Sequence, residues 1–243
     1  MRVLSTVPFT VLRMLRNYNF LLLYLASPMI MLTVLYMILS GAGNETIEPY
    51  ITGAATIMVL CVQLFGGSIV MACIYTDFFT AFKMKVYSLP FNQTLYAFSI
   101  MICGTFFSIL LGVLLMLFTH FALGAEWGNW LWTIYIIALM AILSSIVSLI
   151  ITFSVRSIKI ADRWISVYGL GSILLTKVLL PLPDNAFFEF MGSYGNPLAL
   201  SIMSIDEMNQ AHTGLAWLQA TILLTAIILL FMVMLAVGRR RMA

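Results

Sequence analysis

The chain has 243 residues, of which 63% are hydrophobic and only 9% are charged. An average soluble domain is about 45–50% apolar and about 25% charged, so this chain has too few polar side chains to cover a globule in water. The composition argues against a soluble enzyme, a nucleic-acid-binding protein and a disordered protein. It predicts an all-α protein that crosses a membrane several times. The net charge of +3 is small, so its distribution along the chain is more informative than its sum.

Six apolar stretches approach the roughly 20 residues that a helix needs to cross a bilayer core about 30 Å thick. They are continuously apolar rather than alternating, which favours helices over strands. We therefore predict a single transmembrane domain over residues 1–243, with six transmembrane helices at residues 20–40, 51–75, 95–119, 131–153, 164–180 and 215–237.

The basic and acidic residues fall on opposite sides of these predicted helices. Eleven of the twelve Lys and Arg residues lie before the first span, between spans two and three, between spans four and five, or after span six. Seven of the nine acidic residues lie on the other side. Because loops rich in Lys and Arg stay in the cytoplasm, we predict that both termini are cytoplasmic.

The segment before the first span, residues 1–17, has apolar residues at helical spacing and arginines on the remaining positions. This pattern is typical of a helix that lies in the membrane interface. A frayed tail is the alternative interpretation.

A second segment that is not a span, residues 76–90, follows the second predicted helix. It could form a short helix that Pro90 would end, and it carries several aromatic residues one turn apart. Aromatic residues are enriched at protein interfaces, so we predict a docking helix, with a helix resting on the membrane surface as the alternative. The candidate contact residues are Asp77, Phe78, Phe79, Phe82, Lys83 and Lys85.

A third such segment, residues 181–214, lies on the predicted outer side and is both broken by prolines and rich in apolar residues. Irregular backbone is tolerated at membrane depth when protein surrounds it, so we predict a re-entrant pair of short helices, with a simple outer cap as the alternative. Lys177 either snorkels outward or pairs with Asp184 or Glu189, and a position facing a substrate path is the alternative. The candidate residues of this element are Lys177, Pro181, Pro183, Asn196 and Pro197.

The predicted spans contain almost no ionisable side chains. Ion-coupled carriers usually have carboxylates near the bilayer midplane, and these are missing. The sequence also has no nucleophile elbow, no His-Glu-x-x-His motif and no phosphate-binding loop. We therefore predict no catalytic residue, no metal site and no cofactor in this chain, so that energy for any uphill transport must come from a partner.

This layout resembles the membrane subunits of ABC-2 type (type V) ABC exporters, over essentially the whole chain. Asp77, followed later by Ser88-Leu89-Pro90, is similar to the family's coupling segment, and Asn196-Pro197-Leu198 is similar to a motif of its outer re-entrant element. The chain departs from the family's Glu-Arg-Glu-x-Gly run, because residues 76–81 lack the glycine. Its compact size is similar to that of small bacterial exporters of antimicrobial or cytolytic peptides, including the phenol-soluble modulin exporters.

The resemblance implies a permease that is not itself an enzyme. It would sit in a bacterial plasma membrane as a homodimer, or as a pair with a similar chain, bound to two ABC ATP-binding subunits that hold ATP and Mg. The lipid bilayer and an apolar or amphipathic peptide cargo would be its other partners. The alternatives are a membrane immunity or sensor protein that transports nothing, and a passive channel or secondary carrier.

Overall fold

A computed structural model of the protein describes residues 7–16, 18–41, 48–80, 82–88, 93–155, 157–176 and 185–242. Most of these residues are helical, and no strand occurs among them. Their ten helices are α1 (Val7–Leu15), α2 (Tyr18–Gly41), α3 (Glu48–Phe79), α4 (Lys83–Tyr87), α5 (Gln93–Leu123), α6 (Trp130–Ser154), α7 (Ile158–Leu175), α8 (Ala186–Ser193), α9 (Pro197–Asn209) and α10 (Thr213–Met242).

Five of these helices, α2, α3, α5, α6 and α10, are long and apolar enough to cross a membrane. The prediction of an all-helical protein with several membrane-spanning helices is thereby confirmed. The predicted fifth span, 164–180, falls partly in α7, which is not among the five because its 18 residues include Lys159, Asp162 and Arg163. Residues 177–180 of that predicted span lie outside the described residues.

The central element of the bundle is α3, which packs against α2, α5, α6, α7 and α9. The main apolar core lies between α3, α5, α6, α9 and α10. A second core around Leu32, Val59 and Trp127 joins α2 to α3, to α5 and to the loop after α5. A small cluster of Met71, Ala161 and Ile165 joins α3 to α7. Displacement of α3 would therefore disturb most of the bundle.

Helices α3 and α6 approach each other closely at Gly67. A Cβ atom at this position would lie 2.2 Å from the backbone oxygen of Ser144, so only glycine fits. The Ser144 hydroxyl accepts a hydrogen bond from the Gly67 amide at 3.0 Å and donates one to the Leu64 oxygen at 2.5 Å. Small residues and interhelical hydrogen bonds of this kind drive association where lipid removes the hydrophobic driving force.

A buried pair of polar side chains joins α3 to α5. The Gln63 amide nitrogen donates to the backbone oxygen of Ser108 at 3.1 Å, and the Ser108 hydroxyl donates to the Gln63 side-chain oxygen at 2.8 Å. Gly112 leaves room for the amide, since a Cβ atom there would lie 2.2 Å from its nitrogen. Helices α3, α5 and α6 therefore form an interlocked unit.

The two ends of the bundle differ in charge. One, which we call the basic end, carries α1, the end of α3, α4 and the start of α5, with Arg13, Arg16, Lys83 and Lys85. The other, the acidic end, brings the start of α3, the loop after α5 and the end of α9 together around Glu48, Glu126 and Asp206. These two ends contain the features that bear on function.

Candidate functional site

Three helices meet at the Asp77 carboxylate, at the basic end. This side chain is buried, with only 3% of the residue exposed. Arg13 of α1 donates from Nη1 to Oδ1 at 2.6 Å and from Nη2 to Oδ2 at 3.1 Å, and the Tyr96 hydroxyl of α5 donates to Oδ2 at 3.0 Å. A buried carboxylate is costly unless it is paired and hydrogen-bonded, and here both conditions are met. We call Arg13, Asp77 and Tyr96 the Asp77 cluster.

The amphipathic pattern of α1 explains how Arg13 reaches this position. Met14 is buried against α5, whereas Phe9 and Leu12 on the other face are 74% and 55% exposed. Arg13 lies at the boundary between the two faces and also contacts the backbone oxygen of Cys73 at 3.4 Å. Burial disfavours the charged guanidinium, but the hydrogen bonds to Asp77 and Cys73 outweigh it and raise the pKa of Arg13 above its usual range. Arg13 therefore stays protonated beside the Asp77 side chain.

The predicted contact residues nearest to the second span lie inside the protein. Because α3 continues to Phe79, beyond the predicted boundary at 75, Phe78 is turned into the core with its ring centroid 6.1 Å from that of Tyr96. Phe79 is half-buried and stacks on Tyr75 at 5.5 Å. Asp77 and Phe78 are therefore buried in the isolated chain, where their side chains contact other helices and offer no exposed surface to a partner.

The remaining predicted contact residues lie on or next to α4 and are exposed. Phe82 is 53% exposed, and Lys83 and Lys85 are exposed beside it. Lys85 Nζ lies 5.3 Å from the centre of the Phe82 ring, within the range of a cation–π interaction. Sequence reasoning missed Met84, which is 80% exposed. Its position between two lysines in a five-residue helix could have indicated it.

A backbone turn joins α4 to the end of α3. The Lys83 amide donates to the Thr80 oxygen at 3.0 Å, and the Thr80 hydroxyl donates to the Thr76 oxygen at 2.5 Å. Only a few residues separate this turn from Asp77. The exposed patch of Phe82, Lys83, Met84 and Lys85, which we call the α4 patch, is therefore placed by the same helix end that the Asp77 cluster holds.

Residues 185–209, which belong to the predicted outer element, form two short helices, α8 and α9, and Asn196 connects α9 to α7. Asn196 is 2% exposed, its side-chain oxygen accepts from the Leu198 amide at 3.0 Å, and its nitrogen donates to the Ser172 oxygen at 2.7 Å. It therefore caps α9, while Pro197 occupies the first turn, where its missing amide hydrogen costs nothing. Lys177, Pro181 and Pro183 lie outside the described residues.

The acidic end contains an open cleft of about 440 Å³ whose lining includes Glu48, Glu126 and Asp206. The Glu126 amide donates to the Thr52 hydroxyl at 3.0 Å, and this hydrogen bond joins the loop after α5 to α3. Burial, and then the neighbouring charge of Glu207, raise the pKa of Asp206. In the part of the chain that the structure describes, no group of His, Cys, Asp and Glu could hold a metal ion. Sequence reasoning did not predict this cleft, because its acids come from distant segments.

Comparisons of the chain with family models, with curated proteins and with solved structures found no match. Likeness to a known protein therefore assigns no function to the chain. The α4 patch and the acidic cleft are the surfaces from which a function can be argued.

Proposed function

We propose that this chain is the membrane-spanning subunit of an ABC-2 type exporter in a bacterial plasma membrane. A separate ATP-binding subunit would bind Mg and ATP and hydrolyse the nucleotide. The observation that carries the proposal is the α4 patch, a short exposed helix joined directly to the central helix of the bundle.

The chemistry of the α4 patch suits a protein partner. Phe82 and Met84 expose most of their apolar surface just beyond the end of a membrane-spanning helix, and lysines flank them. Exposed apolar side chains with a charged rim are typical of docking surfaces, where aromatic residues and Met are enriched. Lys83 and Lys85 would then make polar contacts around an apolar centre.

The position of the α4 patch suits the transmission of force. Movement of α4 would pass through the Thr80 turn to α3, and α3 packs against α2, α5, α6, α7 and α9. A partner that changes shape on ATP hydrolysis could therefore tilt several helices through one contact. No phosphate-binding loop occurs in the sequence, so the energy would enter from outside the chain.

We further propose how the chain crosses the membrane. Both termini and α4 would be cytoplasmic by the positive-inside rule, α7 would be the fifth of six crossings, and α8 and α9 would form an outer re-entrant element. Two copies would form the transport path. The surfaces that the spans expose are rich in Leu, Ile, Met, Val and Phe side chains, which suit an apolar or amphipathic peptide cargo better than an ion.

The proposal is tested by changing Phe82 and Met84 together to Asp. The tagged chain is purified from its native membrane in mild detergent, and ATP hydrolysis is measured in the eluate. Loss of apolar anchors at an interface typically costs about 2–4 kcal/mol, which corresponds to at least about tenfold weaker binding. We therefore expect at least about a tenfold loss of co-purified ATPase activity, with the chain still inserted.

The matched control places the same two charges on α8, another short exposed helix, which the proposal puts on the opposite side of the membrane from α4. Phe187 and Phe190 of α8 are 62% and 54% exposed, and changing both to Asp should leave the co-purified activity unchanged. The chain expressed alone in a foreign host should hydrolyse no ATP. An unmodified chain that brings down no ATPase from its native membrane would contradict the proposal and favour a sensor or a passive channel.

A further inference from the structure

We infer that Arg13 is a positioning residue: through the Asp77 carboxylate it sets the orientation of the end of α3 and, with it, of α4. The Asp77 cluster and its burial carry this inference. Its consequence for ATP-driven coupling rests on the proposed function, but the positioning of α4 can be measured without it.

Asp77 lies close to the end of α3. It is two residues from the end of α3, and Lys83 begins α4 six residues later. A helix end at the edge of a bundle can fray or rotate, and here Phe78 packs it against Tyr96. The ion pair with Arg13 and the hydrogen bond from Tyr96 hold this end from both neighbouring helices, α1 and α5.

Without Arg13, Asp77 would lose its ion-pair partner. Arg13 is the cationic partner that the described residues provide for this carboxylate. A carboxylate left buried and unpaired is strongly disfavoured, and an outward turn of the end of α3 would expose it to water. Because α4 is attached to that end through the Thr80 turn, loss of Arg13 should reorient α4 as well as weaken the fold.

The packing of α1 fixes the position of Arg13. Its helix is anchored on one side by Met14, which is 3% exposed and lies in the main core. On the other side Phe9 and Leu12 are exposed, as expected for a helix at a lipid surface. Arg13 thus connects α4 to a helix whose own position is set by the bundle and the membrane.

The test uses spin labels and distance measurements on the whole chain in lipid nanodiscs. Labels at Met84 and Leu131, which are 80% and 82% exposed, report the position of α4 relative to the bundle. Labels at Leu12 and Leu131 report α1. Cys61, Cys73 and Cys103 are first replaced by Ala. This change keeps the backbone oxygen of Cys73 that Arg13 contacts.

We expect Arg13→Gln to shift or broaden the Met84–Leu131 distance distribution. Arg16→Gln removes the same charge from an exposed position just beyond the end of α1 and should leave the distribution unchanged. In the double variant Arg13→Gln with Asp77→Asn, the neutral amide no longer needs a cation, so the narrow distribution should return. A residue that merely anchors α1 would move the Leu12–Leu131 distances and leave the Met84–Leu131 distances alone.

An unchanged Met84–Leu131 distribution in Arg13→Gln would overturn the inference, as would a double variant that stays as disturbed as the single one. If Arg13→Gln does not fold, Arg13→Lys, which keeps the charge and loses the paired hydrogen bonds, should give a smaller shift, and no shift would again overturn it. A shift in α4 together with an unmodified chain that co-purifies no ATPase would support the positioning role and refute the proposed function.

Discussion

The three central helices α3, α5 and α6 and the two peripheral helices α2 and α10 are equally suited to a membrane but differ sharply in burial. The most apolar window of α10 has a mean hydropathy of 2.9 and that of α3 only 2.3. Yet 22% of the α10 window is buried inside the protein, against 56% for α3, and only 11% is buried in α2. In a bilayer, apolar character shows that a helix tolerates lipid, and it does not show that the helix lies in the core.

Small and polar residues distinguish the central helices. Gly67 allows α3 to touch the backbone of α6, and Gln63 bonds twice to α5. On α2, Leu22, Met31 and Ile38 are more than half exposed. Lipid tails solvate such side chains as well as another helix would, so tight packing needs close backbone approach and interhelical hydrogen bonds.

Gly67→Ala should have the largest effect on this contrast. The added methyl would meet the backbone oxygen of Ser144, which cannot move away without shifting α6, and we expect a loss of about 3 kcal/mol in the free energy of unfolding. Gly53→Ala is the control on the same helix, because nothing lies within 4 Å of its added Cβ. It should be neutral or stabilising by up to about 1 kcal/mol. Reversible unfolding in bicelles measures both, and equal effects would contradict the close approach of α3 and α6.

A smaller effect should separate the two faces of α2. Leu32 is 1% exposed and Ile38 is 63% exposed. Leu32→Ala leaves a cavity, and since lipid removes most of the transfer contribution, we expect the low end of the soluble range, about 2 kcal/mol. Ile38→Ala should change the free energy of unfolding by less than about 0.5 kcal/mol. Similar losses at both positions would show that a second copy or another protein covers the exposed face of α2.

The smallest effects compare two buried glutamines by the same substitution. Both polar side-chain atoms of Gln63 are hydrogen-bonded to Ser108, whereas the side-chain oxygen of Gln219 on α10 is buried without a partner among the described residues. Gln63→Met should cost about 1 kcal/mol, because it leaves the Ser108 groups unpaired. Gln219→Met should be neutral or stabilising by up to about 1 kcal/mol. A cost at Gln219 as large as that at Gln63 would show that its oxygen has a partner outside the described residues.

The fold could be predicted from the sequence further than the site. Long apolar runs must become helices in a bilayer, since every backbone polar group there needs an internal partner, and five of the predicted spans fall in the five long helices. The predicted span at 164–180 is the exception. The helix found there, α7, begins at Ile158 and therefore includes charged residues that lie before the predicted span. The six-span topology therefore stays a prediction.

Among the candidate site residues, exposure could not be predicted. Phe78 and Phe82 are both aromatic and lie one turn apart in the sequence, yet Phe78 is 3% exposed and Phe82 is 53% exposed. The difference arises because α3 continues to Phe79 and carries Phe78 onto Tyr96. Likewise, nothing in the local pattern indicates that Asp77 pairs with an arginine 64 residues earlier.

The sequence by itself determined which segments are long and apolar enough to enter a membrane, because this depends on local composition and helix length. Only the tertiary structure decided which apolar helices are central, which aromatic residues are exposed and which partner Asp77 has. These features depend on contacts between residues far apart in the chain, where a single missing Cβ or one hydrogen bond selects the packing.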